Sequence, residues 1–245
     1  MTNTAALAWR EFRFQRRMFW RNPSAAFFNF ALPLIFLVLI ASVFSLSQDE
    51  LNHFIPWIAG LAVMSATFTA LAFNMTFLRE QGILKRIRGT PEPPASYLGG
   101  VIGNAVWNAF VQVAIIVVLG HLLYDVPWPK DWFELVLFTG LGVIAFASLG
   151  IALAQAIPNF DSAAAYVNAI FLPMIFISGT FYSTDHLPAG INAIASALPL
   201  KHIIDGLYGA LVSGKGVADH LGSVLALLAW CVVGLALAVR YFRWE

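Results

Sequence analysis

Charge is what this sequence has least of. Only 11% of its 245 residues are Asp, Glu, Lys or Arg, against about 25% in a soluble domain, and 60% are hydrophobic. A chain of that composition is solvated by lipid. Its net charge of +1 says nothing about nucleic acid, because the charges are segregated rather than merely scarce; no nucleic-acid partner is expected. Cysteine is almost absent: Cys231 stands alone in an apolar run, so it has no internal disulfide partner and reads as a small packing residue. Catalytic signatures are missing as well. There is no His-Glu metal pattern, no G-x-S-x-G, and no carboxylate pair inside an apolar segment, which argues against an intramembrane enzyme. No internal repeat is visible, so inverted repeats are not expected. A signal peptide is not expected either. The basic residues from Arg10 to Arg21 precede an apolar run longer than the roughly 7–15 residues of a signal core.

What is there is a set of six apolar runs, at about 24–46, 55–78, 97–123, 133–157, 162–182 and 221–240. Each reaches the roughly 20 residues that a membrane-spanning helix needs. No Asp, Glu, Lys or Arg lies deep in any of them; Glu134, Asp161 and Arg240 sit at or near the ends. Eleven of the fourteen basic residues flank the runs on one side: Arg10, Arg13, Arg16, Arg17 and Arg21, then Arg79, Lys85, Arg86 and Arg88, then Arg240 and Arg243. The other side holds Lys130, Lys201 and Lys215 among many acids, Asp49, Glu50, Asp125, Asp131, Asp185, Asp205 and Asp219. Positive charge stays inside, so both termini and the loop after the second span are expected in the cytoplasm.

The parts that cannot span have character of their own. Segment 5–21 mixes Trp9, Phe12, Phe19 and Trp20 with arginines. This predicts an interfacial helix, with Arg13, Arg16, Arg17 and Trp20 at the headgroups, that ends at Asn22-Pro23. Segment 183–220 is a long external stretch. Ile191, Ile194, Ala195 and Leu198 follow helical spacing, and so do Ile203, Ile204, Leu207 and Leu211 after Pro199. Two short helices dipping into the outer leaflet are expected. Asn104, Asn108 and Gln112 recur every four residues on the third span. Such a stripe is more often interhelical glue than a polar path. Pro33 and Pro173 lie in mid-span and should kink the first and fifth helices.

Gly209 to Gly216, GALVSGKG, imitates a phosphate-binding loop but ends in Gly216, where Ser or Thr is needed to hold magnesium. No strand leads into it, so a flexible external turn is expected. Nor do the spans offer ionisable groups to carry a coupling ion; His121 lies near an outer end. No ring of charge or filter-like loop suggests a channel. Energy is therefore expected to enter from outside the chain, through a cytoplasmic surface. Segment 79–91, REQGILKRIRGTP, is the structured candidate. Ile83, Leu84 and Ile87 form a ridge, Lys85, Arg86 and Arg88 point elsewhere, and Gly89 with Thr90-Pro91 ends the turn. A short amphipathic helix of this kind fits a partner's groove.

These residues carry a resemblance. E-x-G-x-x-x-R-x-x-x-T-P after a second span, here Glu80, Gly82, Arg86, Thr90 and Pro91, resembles the coupling-helix region of ABC exporter permeases of the ABC-two type. That family includes bacterial drug, antibiotic, polysaccharide and teichoic-acid exporters. FLPMIFISGTFYS (Phe171 to Ser183) is similar to its fifth span, and HLPAGINAIASALPLKHIIDGLYGAL (His186 to Leu211) to its external re-entrant helices, with Pro188, Pro199, Leu200 and Asp205 in matching places. The basic aromatic N-terminal helix resembles its elbow helix. The resemblance covers essentially the whole chain, and it lies in the order and spacing of the motifs rather than in any one of them. One position departs: such permeases often carry arginine shortly after the aspartate, where this chain has Tyr208.

The resemblance implies an all-α polytopic membrane protein of the bacterial inner membrane. It would have six transmembrane helices, an elbow helix, a cytoplasmic coupling helix and re-entrant helices between spans five and six. It implies a second permease copy or paralogue, two ABC ATPase subunits that carry ATP and magnesium, contact with membrane lipids, and no cofactor on this chain. Glu80, Gly82, Leu84, Arg86, Thr90 and Pro91 would then couple to the ATPase. Asn29, Thr69, Asn74, Tyr166, Asn168 and Phe176, on the first, second and fifth spans, would line the path. The cargo implied is an amphipathic small molecule, drug or lipid. Export of a lipid-linked polysaccharide or teichoic acid is an alternative, and a non-ABC carrier or scaffold is another. Phenylalanine outnumbers tyrosine and tryptophan in the spans, which favours an apolar cargo over a glycan.

Overall fold

A computed structural model of the chain describes residues 4–44, 46–89, 93–178 and 189–243, with the backbone alone at residues 25, 28, 32, 94, 95, 189, 191 and 192. Thr90, Pro91 and Pro188 lie outside the described residues. Every described regular element is helical. Among the described residues five helices are long and apolar enough to cross a bilayer: Gln48–Glu80, Ser96–Tyr124, Trp132–Ala156, Phe160–Ile177 and Val217–Tyr241. Helix α2 (Pro23–Val43), apolar from Asn29 to Val43, is a further apolar helix of shorter described length.

The interior rod is α3 (Gln48–Met64), a π-helical turn (Ser65–Thr69) and α4 (Ala70–Glu80), continuous over 33 residues. The apolar run expected from residue 55 thus begins seven residues earlier as helix. The cause is a capping box. The Glu50 backbone N–H donates to the Ser47 side chain, and the Ser47 N–H donates to the Glu50 carboxylate at 2.8 Å. The π-turn places the Phe68 backbone against α7 (Trp132–Ala156) at Gly150, where a methyl group would meet the Phe68 carbonyl at 2.5 Å. Only glycine permits that approach.

The helix α10 (Pro199–Tyr208) and the π-turn after it (Gly209–Ser213) are buried between the rod, α7 and α11 (Leu221–Tyr241). The ladder is antiparallel to α7: Ile203 meets Gly142, Gly206 meets Phe138, and Gly209 meets Glu134. On the rod, Gly60 faces Leu200, Ile203 and Ile204, and His53 stacks on Tyr208 with ring centroids 4.7 Å apart. Ile203, Leu207 and Leu211 are buried as their spacing predicts, with Ile204 partly so. In α9 (Ala189–Ala197) Ala195 is buried while Ile194 is exposed, so that expected face holds only in part. The α9–α10 junction sits at the middle of α11: the Trp230 indole N–H donates to the Ala197 carbonyl at 2.8 Å.

Two neighbours run parallel to the 31-residue α6 (Pro94–Tyr124). Helix α1 (Thr4–Trp20) packs on its first turns, where the Ser96 hydroxyl donates to the Thr4 carbonyl and Gly100 and Gly103 receive Glu11 and Phe12. Helix α2 packs on its later turns. There the Gln112 amide donates to Asn29 Oδ1 at 2.5 Å, and the Tyr124 hydroxyl donates to the Val38 carbonyl. Of the amide stripe, Asn108 and Gln112 are buried and Gln112 ties α6 to α2, while Asn104 Oδ1 is buried without a partner, so the interhelical glue rests on Gln112. Pro33 and Pro173 lie inside α2 and α8 (Phe160–Ile177).

Candidate functional site

The basic end of the bundle gathers six elements, α4, α5, α6, α7, α8 and α11, around one turn. Helix α7 stops at Ala156, Ile157–Asn159 turns the chain, and α8 starts at Phe160. Pro158 cannot continue a helix, and Asn159 caps α8 by accepting from the Ser162 N–H at 2.9 Å. A helix end leaves its last carbonyls unpaired and negative, and a helix start leaves N–H groups unpaired and positive. Two adjacent residues at the end of α4 answer both. The Arg79 guanidinium donates to the Ala154 carbonyl at 2.7 Å and to the Ile157 carbonyl. The Glu80 carboxylate accepts from the Phe160 N–H. A cation thus grips the end of α7 and an anion the start of α8, each matched to its helix dipole. Phe73 and Phe77 of α4 set edge-to-face contacts on Phe160, at 6.1 and 5.5 Å.

From that clasp the chain passes directly into α5 (Ile83–Arg88). Gly82 adopts φ +65°, a left-handed conformation that glycine reaches without cost. It turns α5 out of the axis of α4. Leu84 is wholly buried in a cluster with Leu71, Met75, Tyr97, Val101, Ile151 and Ala154, while Lys85, Arg86 and Arg88 are exposed. Phe242, beyond α11, packs on the same cluster, and the Arg243 backbone N–H donates to Gln155 Oε1 at 2.9 Å. So Glu80, Gly82, Leu84 and Arg86 stand together on a braced element. Arg79, which the sequence offers only as a topology charge, is the partner that completes the clasp. Its acceptors lie 75 and 78 residues away, so no local motif could reveal them.

The remaining expected site residues separate. Asn29 is half-buried and bound to Gln112. Thr69 ends the π-turn with its hydroxyl buried and without a partner. Asn74, Tyr166, Asn168 and Phe176 are exposed on α4 and α8. Both α2 and α8 flank the rod, α2 along α3 and α8 along α4. Pro199 and Leu200 are buried at the start of α10, and Asp205 pairs with Lys201 at 3.1 Å. On α1, Arg16 lies over the Trp107 ring at 4.5 Å and Trp20 stacks on Phe30 at 5.7 Å. Arg13, Arg16, Arg17, Trp20 and Arg21 line one shallow basic hollow.

The segment that imitates a phosphate loop is half helix. Gly209–Ser213 is a π-turn with Gly209, Ala210 and Leu211 buried, closed by the left-handed Gly214. Sequence reasoning also left Glu134 at a helix end, yet its side chain is completely buried, 3.8 Å from His220. Among the described residues no three His, Cys, Asp or Glu converge as metal ligands.

Comparison with known proteins adds the family. The profile described as "ABC-2 type transporter" matches residues 2–212. The linearmycin resistance permease protein LnrN of Bacillus subtilis (strain 168) is 23% identical over 76% of this chain and 48% of its own length. Nodulation protein J of Rhizobium leguminosarum bv. viciae is 32% identical over 50% of this chain and 43% of its own. The probable multidrug ABC transporter permease YbhS of Escherichia coli (strain K12) is 21% identical over 72% of this chain and 47% of its own. The chain therefore spans about half the length of these curated relatives. With that profile covering most of the sequence, the chain belongs to the ABC-2 type transporter family.

Proposed function

We propose that the chain is the permease subunit of an ATP-driven exporter in a bacterial inner membrane, with both termini in the cytoplasm. Helix α2 is the sixth crossing, α1 is the interfacial elbow, and α9 with α10 is the external re-entrant segment. A second copy or paralogue completes the permease, and two ATPase subunits hold ATP and magnesium. The cargo is an amphipathic small molecule, drug or lipid. Linearmycin resistance and multidrug transport, in the names of two relatives, support that cargo class over a glycan.

The observation that carries this reading is the clasp between Arg79–Glu80 and the α7–α8 turn. Coupling between distant sites needs a rigid, contiguous route. Here the exposed cationic face of α5 meets the ATPase, and Leu84 keeps α5 from moving without its cluster. A push on α5 then reaches the start of α8 through two charge-assisted contacts. Helix α8 presents Leu172 and Phe176 on one exposed face, so its displacement reshapes an apolar surface suited to an amphipathic cargo.

The test is recovery of the tagged chain from native membranes in mild detergent, with mass spectrometry of what accompanies it. An ABC ATPase subunit in the eluate, lost when residues 82–88 are scrambled, is the expected result. With that partner in hand, Glu80→Ala is expected to assemble normally and to lower transport by about tenfold, the loss of one charge-assisted contact. Unchanged transport in that variant removes the clasp from the mechanism. A well-folded preparation with no ATPase partner overturns the exporter reading itself.

A further inference from the structure

Between α7, α8 and α11 runs a groove of about 540 Å³, walled by Leu149, Leu153, Ile170, Met174 and Leu237. Its deep end is Trp230, held in place by the bond to the Ala197 carbonyl. Its mouth is Tyr241, Gln155 and Arg243. Trp230 and Tyr241 are eleven residues apart on one helix, about 16 Å at 1.5 Å per residue. That is half the roughly 30 Å hydrocarbon core of a bilayer. The groove thus has the depth of one leaflet, and of the five long apolar helices it lies between the two that the chain covers least: only 17% of the apolar window of α8 and 22% of that of α11 are buried.

Among the described residues the one charged side chain that lines the mouth is a cation, Arg243. Arg243 is fixed there by its backbone bond to Gln155, and Arg79 is near enough to repel it. Arg240 lies one turn back, over the Tyr241 ring at 5.9 Å. Glu80, the carboxylate adjacent to Arg79, is committed to the Phe160 N–H. A phosphate at the mouth relieves that crowding of guanidinium groups and accepts their hydrogen bonds. We propose that this groove is a binding site for one anionic phospholipid of the leaflet at the basic end, with an acyl chain along the Leu153–Met174 walls and the phosphate on Arg243. Neutral alkyl chains fit the walls equally well, so the headgroup charge sets the selectivity. This site is separate from the exposed α8 face assigned to cargo, and it stands whether or not an ATPase partner is found.

The experiment uses the full chain in detergent, mixed with phosphatidylglycerol or phosphatidylcholine of identical acyl chains and read by native mass spectrometry. Wild-type protein is expected to retain phosphatidylglycerol about five- to tenfold better. Arg243→Gln is expected to bring that ratio close to one, whereas Lys215→Gln, exposed at the opposite end of the bundle, leaves it unchanged. Ala152→Phe fills the groove and is expected to lose both adducts; if it fails to fold, Leu237→Trp replaces it. A photo-crosslinking residue at Leu237 is expected to label lipid. Equal retention of the two lipids by wild type, an unaltered ratio in Arg243→Gln, or chain-to-chain adducts from Leu237 each overturn the proposal, the last in favour of a second copy of the chain seated there.

Discussion

Three glycines on α10 and its partners decide how close that helix can come. At Gly206 a methyl group would fall inside the Phe138 ring, and at Gly142 it would meet Ile203 Cδ1 at 2.5 Å. At Gly209 it would stand 2.7 Å from both Glu134 Oε1 and His220 Nε2. Phe138 is completely buried, so its ring cannot swing aside into solvent or lipid. Overpacking of this kind costs about 1–3 kcal/mol. Gly206→Ala is therefore expected to lower the unfolding midpoint in detergent measurably. Gly222→Ala, in the first turn of α11 with nothing within 4 Å of the added carbon, is expected to be neutral or slightly stabilising, as alanine is the better helix former. If the two variants melt alike, the close approach of α10 to α7 is wrong.

At the scale of elements, α10 also carries a titrating group. His202 is half-buried, and burial pushes its pKa below the ordinary histidine value; the Ser196 carbonyl and Asp205 pull it up less strongly, and Lys201 adds to the depression. The neutral ring fits its partners: Nε2–H donates to the Ser196 carbonyl at 2.9 Å, and Nδ1 accepts from the Ser223 hydroxyl at 3.2 Å. In the unfolded chain this histidine takes a proton near pH 6.5, while in the folded chain it resists until lower pH. Its contribution to stability is thus fully present above about pH 6.5 and is lost as pH falls through the depressed folded value. The thermal midpoint is expected to drop between pH 7 and 5, and to drop less in His202→Gln, whose amide can still donate to Ser196. An identical pH slope in the two proteins removes His202 from the account.

The same elements show what was legible in the sequence. Apolar length marked the long helices, and the period of Ile203, Leu207 and Leu211 marked the buried face of α10. The start of α3 was readable but overlooked, because the Ser47–Glu50 capping box precedes the apolar run. Thr69 and Asn74 illustrate the opposite case. Their positions on the rod are plain from sequence, but whether each is buried or bare depends on a π-turn that no local pattern announces. The clasp was half legible: Glu80 stands in a recognisable motif, whereas the carbonyls that Arg79 binds belong to helix α7, brought near only by the fold. Glu134 stands in the first turn of α7, as its place at the end of an apolar run predicts, but its burial was out of reach of the sequence, since Gly209 and His220 make it from beyond the end of α10.

For the whole molecule, burial and charge divide along different axes. Across the bundle, the rod is 78% and α7 61% buried over their apolar windows, against the bare α8 and α11. The first pair is interior and the second is a rim that lipid or another copy must cover. Along the bundle, Arg79, Lys85, Arg86, Arg88, Arg240 and Arg243 collect at one end, and Asp125, Asp131, Asp219 and Lys215 at the other. Only the second axis fixes which way the molecule faces, and the exporter reading depends on it, because ATP is available only if α5 is inside. A Cys231→Ala background removes the one native thiol. Lys215→Cys and Arg88→Cys then place single thiols at exposed positions on opposite ends. A membrane-impermeant maleimide is expected to modify residue 215 in intact cells and residue 88 only after permeabilisation. The reverse pattern would put α5 on the side without ATP and the clasp beyond reach of any ATPase, leaving the family fold without its proposed source of energy.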